Sequence, residues 1–265
     1  MTTNSDISRI DFRALEKINI APIDNDLQLK PPVSVNIPGM DPIKLVAYYD
    51  KYISYYPNAE METKMWFVQN VKPDWTILDV GANVGYYTIM FSRLVPRGKV
   101  FAFEPTSTIE MLNINLKYNH VLNNVETLRQ ALGCKAGKIN DKIYKIWGNE
   151  PDEEVYDFNT IDNFVKERGI KVDAIKIDVD SFDFEVLRGA EETIKTQNPY
   201  IMVELNHALY KRRTEPAYAL RWMAERGYVR TKIFGGENYL FKLTDQEAKL
   251  DAGYRFSPTI TVEWA

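Results

Sequence analysis

The stretch TILDVGANVGYYTIMFSRL, Thr76 to Leu94, decides how the chain is read. Thr76–Gly81 is a mostly apolar run ending on glycine, the pattern of a buried strand. Gly81-Ala82-Asn83-Val84-Gly85 turns the chain, and Tyr86–Leu94 reads as a helix. The alternation continues downstream. KVFAFE (Lys99–Glu104), VETLRQAL (Val125–Leu132), DAIKIDV (Asp173–Val179) and YIMVEL (Tyr200–Leu205) are expected strands. Helices are expected over Ser107–Tyr118, Asp183–Lys195 and Pro216–Arg226, and Lys138–Trp147 reads as a weaker hairpin. YVRTKIF and NYLFKL, joined through Gly235-Gly236-Glu237, form a closing hairpin. The fold class expected is α/β: a doubly wound, Rossmann-like, mostly parallel seven-stranded sheet with an antiparallel last strand.

The chain has 265 residues, 45% apolar and 26% charged, a globular balance. Residues 1–70 differ from the alternating part. Ser8–Asn19 suits a short amphipathic helix. Pro22, Pro31, Pro32, Pro38 and Pro42 then enforce extended chain and turns, Ile43–Tyr49 suits a strand, and Ala59–Asn70 a helix. The expected division is an N-terminal cap over 1–70, a ligand-binding domain over 71–243 and a tail over 244–265. The cap is expected to cover the active site, and the tail, with SPTITVEW, to add a strand for self-association (a homo-oligomer) or to return onto the cap. No run approaches the roughly 20 apolar residues of a membrane span. The start, MTTNSDISRIDF, lacks the features of a signal peptide, so a cytoplasmic protein is expected. A single cysteine, Cys134, excludes an internal disulfide and a cysteine-rich zinc site. The net charge of −4 provides no electrostatic footprint for nucleic acid as a partner.

An open α/β sheet binds its ligand beyond the carboxyl ends of its strands, where this glycine turn lies. A dinucleotide-binding turn would carry glycine at 81, 83 and 86, but this chain has Asn83 and Tyr86. Tyrosine is too large for the close helix–strand contact, and Asp79 would repel a pyrophosphate. A ligand with a cationic end tolerates Asp79. S-adenosylmethionine, with its ammonium and sulfonium, is such a ligand. Glu104, closing the second strand, stands where a carboxylate accepts hydrogen bonds from both ribose hydroxyls.

LDVGANVGYYTIMFS, VFAFEP, AIKIDVDSFDFEVLRGA and PYIMVEL, in that order, resemble the FkbM family of S-adenosylmethionine-dependent O-methyltransferases. The resemblance runs from Lys51 to Leu243 and takes in Asp50–Ser54, Glu60 and NTIDNF (Asn159–Phe164). It implies a class I methyltransferase fold and methyl transfer to a hydroxyl, often of a sugar, glycan or natural product. One departure stands out. The family reads K-I-D-V-E-G-x-E, whereas this chain has Lys176-Ile-Asp178-Val-Asp180-Ser181-Phe182-Asp183, which alters the depth or shape of the acceptor pocket.

The cofactor positions are then Asp79, Gly81, Ala82, Asn83, Gly85 and Tyr86 in the turn, and Glu104, Pro105 and Thr106 after the second strand. Gln130 and Ala131 lie near the end of the third strand, where class I methyltransferases hold the adenine edge. Asp178 follows the fourth strand. Glu60 matches the glutamate of the family's upstream helix and would face the methionine ammonium, or else simply favours a helix start.

Methyl transfer is an in-line displacement, so the enzyme holds an acceptor oxygen against the methyl carbon and lowers the cost of losing its proton. The candidates are Asp178, Asp180 and Asp183 after the fourth strand and Glu204, Asn206 and His207 after the fifth. Period-two alternation puts Lys176, Asp178 and Asp180 on one face, and a lysine in an apolar strand demands a partner. Lys176 is therefore read either as a structural counter-charge or as a catalytic group. His207 is the expected general base. Asp178, Glu204 and Asn206 together resemble the oxygen-ligand set of cation-dependent catechol-type methyltransferases, which would suit Mg²⁺ or Ca²⁺. Trp147, Tyr156 and Phe158, in an acidic loop, form either an acceptor wall or a solvated surface. The competing functions are N-methylation or other small-molecule methylation, and a non-catalytic cofactor-binding scaffold.

Overall fold

The computed structural model describes residues 33–46, 59–121, 123–144 and 153–243. Its centre is a sheet of seven strands: β3 (Thr76–Val80), β4 (Lys99–Phe103), β5 (Val125–Leu128), β9 (Ala174–Ile177), β10 (Tyr200–Glu204), β11 (Tyr228–Phe234) and β12 (Asn238–Leu243). They run in the order β11-β12-β10-β9-β3-β4-β5. All pairings are parallel except those of β12, which inserts antiparallel between β10 and β11. The expected doubly wound sheet with an antiparallel last strand is what forms.

Both faces are covered, which explains the near-continuous apolar strands. Ile77, Val100, Ala102, Ala174 and Met202 face one core, shared with α1 (Met61–Asn70) and α2 (Tyr86–Leu94). Leu78, Val80, Phe101, Phe103, Ile175, Ile177, Ile201 and Val203 face the other, which takes in α4 (Ile161–Arg168), α5 (Asp183–Arg188), α6 (Glu191–Gln197) and α7 (Pro216–Glu225). α3 (Ile109–Tyr118) packs on the first side through Leu112 and Leu116.

Three local expectations change. The strand expected over Val125–Leu132 breaks at Arg129–Gln130, and Ala131–Leu132 becomes β6 of a second, three-stranded sheet. In that sheet β7 (Gly137–Lys142) pairs with β8 (Glu153–Asn159), the stretch expected to be an acidic loop. Tyr156 and Phe158 turn inward while Glu153, Val155 and Asp157 face solvent. The helix expected over Asp183–Lys195 is two helices. At the break, a Cβ on Gly189 would lie 2.0 Å from the Gly133 carbonyl oxygen, so only glycine lets the root of the small sheet pass so close.

The described part of the cap consists of a hairpin, β1 (Val33–Val35) with β2 (Ile43–Leu45), and of α1. Two buried asparagines, absent from the sequence reading, dock the hairpin. Asn115 Oδ1 accepts from Val46 N at 2.8 Å, and its Nδ2 donates to Val46 O and Val84 O at 3.0 and 2.8 Å. Asn119 likewise accepts from Lys44 N and donates to Lys44 O. The expected helix over Ser8–Asn19, the segment Asp50–Ser54 and the tail from Thr244 lie outside the described residues. Among the described residues no helix is long and apolar enough to cross a membrane.

Replacing Asn115 by Ala leaves the Val46 amide and two carbonyls without their partner. Urea unfolding is expected to show a loss of about 1–3 kcal/mol, since a buried polar group left unpaired costs that much.

Candidate functional site

The turn between β3 and α2 is built by close backbone approach. Gly81 has φ 84°, and a Cβ there would lie 1.9 Å from the Asp178 carbonyl oxygen, so any side chain would push apart β3 and the chain leaving β9. The amides of Gly81 and Ala82 both donate to Phe103 O, at 3.0 and 2.9 Å. Gly85 opens α2. Tyr86, where a dinucleotide turn needs glycine, is instead buried in the core under the Lys64 ammonium, 4.5 Å from its ring centre. Asn83 adopts the left-handed conformation, φ 49°, and donates its amide to Glu104 Oε2 at 3.0 Å.

Glu104 is more committed than the sequence suggests. Its Oε1 accepts from both the amide and the hydroxyl of Thr106, at 2.9 and 2.6 Å. Only Oε2, which carries the Asn83 bond, keeps room for a further donor. Burial pushes this carboxyl above the usual carboxylate range, and the Thr106 and Asn83 donors only partly restrain it.

These elements open onto a cleft at the carboxyl ends of the strands. Gly81, Asn83, Glu104, Pro105, Gln130, Ala131 and Asp178 line it as the sequence anticipates, together with Asp180. Glu60, Asp79, Ala82, Gly85, Tyr86 and Thr106 stand behind the lining. The small sheet and the chain leaving β7 supply a wall in which Phe158 stands as one reading of the sequence has it, joined by Leu132, Ile143 and Tyr144 and by Phe182 of the turn after β9. The one available clue was the inward period of Tyr156 and Phe158, obscured by the charges between them. Trp147 lies outside the described residues, and no described residue of the N-terminal hairpin lines the cleft.

Sheet register sets the electrostatics. The ladder pairs Asp79 with Lys176, and Lys176 with Met202 on its other side. The Lys176 side chain is only 3% exposed, its ammonium 3.0 Å from Asp178 Oδ2 and 4.5 Å above the Tyr87 ring. Burial opposes its charge, but Asp178, Asp79 and Glu60 outweigh that and hold its pKa above the usual lysine value. Asp79 Oδ2 accepts from Thr88 at 2.6 Å, while its Oδ1 has no partner among the described residues. Glu60 accepts from the Tyr87 hydroxyl at 3.0 Å and from Asn238 at 2.8 Å, which fixes its direction.

Asp180 and Ser181 form a strained turn, with φ 56° and 155°. Each such non-glycine residue costs on the order of 1–3 kcal/mol. The second is the position where the resembling sequences read glycine. The buried Asp183 carboxylate holds the turn by accepting from Val179 N at 3.0 Å and Ser181 N at 3.1 Å. Asp180 thereby enters the cleft lining, and among the described residues no donor reaches its carboxyl. Burial, reinforced by Asp178, pushes Asp180 up to about 6, and burial pushes Asp183 up to about 7. Glu204 is driven up further, by burial and then by Asp178, Asp183 and Asp180.

Of the oxygen ligands expected for a metal, Asp178, Glu204 and Asn206, the last is turned to another use. Asn206 turns its Oδ1 inward to accept from Ala208 N at 2.8 Å, capping a 3-10 helix (His207–Arg212), and its Nδ2 donates to Glu237. Asp178 is committed to Lys176, and Glu204 is held toward its neutral form. Among the described residues no group of three His, Cys, Asp or Glu side chains is arranged to hold a metal ion. His207 is exposed at the start of that helix, outside the cleft lining.

The methyltransferase FkbM domain model matches residues 79–230, more than half of the chain. The chain belongs to the FkbM methyltransferase family. The cofactor of that family is S-adenosylmethionine. The methyltransferase sdnD of Sordaria araneosa is 23% identical to it, aligned over 53% of this chain and 73% of that protein. A crystal structure of an FkbM methyltransferase from Methylobacillus flagellatus KT matches at 15% identity and a TM-score of 0.47, covering 64% of this chain. This chain spans only 44% of that structure's length. A precorrin-6y C5,15-methyltransferase from Geobacter metallireducens GS-15 matches at 15% identity and a TM-score of 0.43, over 69% of this chain and 87% of that one.

The donor set fits the cofactor of an FkbM methyltransferase. Among the described residues Asn83 Oδ1, buried at the cleft lining, lacks a partner, and the Asp180 carboxyl, also in the lining, has no donor. A ligand carrying an ammonium and a sulfonium complements them.

These raised carboxyls reverse the usual acid behaviour of this FkbM protein when no cofactor is bound. Asp180 and Asp183 have folded-state pKa values of about 6 and 7 against an ordinary 3.8. Their stabilisation is therefore complete below the ordinary value and is lost as pH rises through about 6 and 7. Urea unfolding is expected to give a higher stability at pH 5 than at pH 8, and Asp180→Asn to flatten that slope. A slope of the opposite sign overturns the assignment.

Proposed function

We propose that this FkbM methyltransferase moves the methyl group of S-adenosylmethionine to a hydroxyl of a small molecule, a sugar or glycan unit or a natural product. The observation that carries this reading is Asp180. It is a half-buried carboxyl in the cleft lining, free of donors, with a pKa near neutrality, a suitable property for a group that takes a hydroxyl proton.

The cofactor supplies an electrophilic methyl carbon on sulfur. On this reading Gly81, Asn83 and Glu104 hold its nucleoside end, with Glu104 Oε2 receiving a ribose hydroxyl and Gln130 and Ala131 bordering the base. Glu60 and Asp79 complement the ammonium. Asp180 would accept the acceptor's hydroxyl proton at a carboxylate oxygen, and a bound cofactor would supply the methyl group to that oxygen and leave as the neutral thioether. Asp178 raises the basicity of Asp180, and Asp178 is in turn ion-paired with Lys176 at 3.0 Å. Ile143, Tyr144, Phe158 and Phe182 form an apolar wall that limits water, and rings of this kind stack on sugar faces. The positional requirement is strict, since displacement needs the oxygen in line with the methyl carbon.

The test is a screen of hydroxylated acceptors with methyl-labelled cofactor, the methyl group being located by mass spectrometry. With an acceptor in hand, Asp180→Asn is expected to lower kcat by roughly 10²- to 10⁴-fold, as loss of a general base does, with cofactor binding retained. Methylation of nitrogen or carbon overturns the hydroxyl assignment, and full turnover by Asp180→Asn removes it as the base.

A further inference from the structure

We propose that Arg212 is a positioning residue: it ties the far end of the small sheet to the turn after β9, and so holds the cleft wall of Ile143, Tyr144 and Phe182 in place. The inference rests on the reading of that cleft as the cofactor site.

The small sheet leaves the core at Gln130–Ala131 and returns at Asn159–Thr160, so its root is fixed by the chain itself. Its other end, Asp141–Tyr144, projects past the cleft. Arg212, on the 3-10 helix after β10, reaches that end with a two-pronged ion pair, its Nη1 and Nη2 each 2.8 Å from an Asp141 oxygen. Nη2 also donates to Lys142 O at 3.3 Å. The guanidinium lies 3.6 Å from the Phe182 ring, and its Nε donates to Ser181 Oγ at 3.4 Å. One side chain thus touches the small sheet and the strained turn together. Phe182 packs in turn on Phe158, ring centres 5.5 Å apart, so the stack continues across the cleft floor.

A surface ion pair ordinarily contributes little. This one differs, because both side chains are only 23% exposed, the geometry is bidentate and the cation is stacked on an aromatic face. Lysine cannot reproduce that fork. The neighbouring contact, Lys211 Nζ to Tyr144 hydroxyl at 2.6 Å, is exposed and aims the Tyr144 side chain without bracing the backbone. Ile143 and Tyr144 directly follow the braced strand, so their place in the cleft wall depends on Arg212 although Arg212 itself lies outside the lining.

The experiment combines hydrogen exchange of residues 137–142 and 153–159 with the dissociation rate of S-adenosylhomocysteine, followed by displacement with excess cofactor. For Arg212→Ala both rates are expected to rise roughly tenfold or more, the loss of a charge-assisted hydrogen-bonded pair. Arg212→Lys is expected to behave like Arg212→Ala. Asp141→Asn, which cuts the same pair from the other side, covers the case of a poorly folding Arg212 variant and moves both rates in the same direction. The exchanged pair Asp141→Arg with Arg212→Asp is expected to recover most of the ladder protection. Unchanged exchange in both single variants overturns the brace. Faster exchange with unchanged dissociation overturns its positioning role. If the unaltered protein binds no S-adenosylhomocysteine, the functional reading fails, while hydrogen exchange still decides whether Arg212 braces the sheet.

Discussion

The ammonium of Lys176 sits in a central strand with apolar neighbours on both sides, and an isolated charge there would cost several kcal/mol. It is tolerated because parallel register brings Asp79 alongside and because the chain turns immediately afterwards to present Asp178. The Tyr87 ring closes the remaining side. Those three contacts come from β3, the turn after β9 and α2, the elements that also frame the cleft. The charge therefore couples the packing of the sheet to the geometry of its rim. Removing the ammonium would leave the Asp79 and Asp178 carboxylates without their counter-charge at the cleft rim.

Around that paired core the protein keeps carboxyl groups that it does not satisfy. Asp183 is used internally, to hold a backbone turn that two non-glycine residues make costly. Among the described residues Asp180 and Glu204 have no donors, and both are raised by burial and by Asp178. Such an arrangement is unfavourable for folding alone and favourable for receiving a cation. The stability given up in the strained turn and the crowded acids fits the general pattern in which functional sites depart from what the fold would choose.

Much of this was legible in the sequence, for identifiable reasons. The boundaries of α2 follow from the glycine turn that precedes it, and β3, β4, β9 and β10 from near-continuous apolar runs buried on both faces. Glu104 and the turn glycines were placed by their order along the chain. The small sheet was hidden because β8 turns only Tyr156 and Phe158 inward, among Glu153, Glu154 and Asp157, and leaves Val155 exposed. The break at Arg129–Gln130 was invisible because β6 continues in extended conformation and only its pairing partner changes. Asn206 looked like a metal ligand because composition does not reveal which way an amide points, and here it caps the helix it begins.

Glu60 is held at its oxygen by Asn238, a residue 178 positions later, on the strand that inserts last in chain order. Domains tend to fold from the N-terminus as they are synthesised, and contacts of such long span form late. Before β12 is in place, the Tyr87 hydroxyl can hold the Glu60 carboxylate but Asn238 cannot. Only when β12 has slid between β10 and β11 does the far edge of the sheet reach across and aim that carboxylate. A growing polypeptide thus carries the cleft lining before the Asn238 contact that helps aim Glu60 is in place.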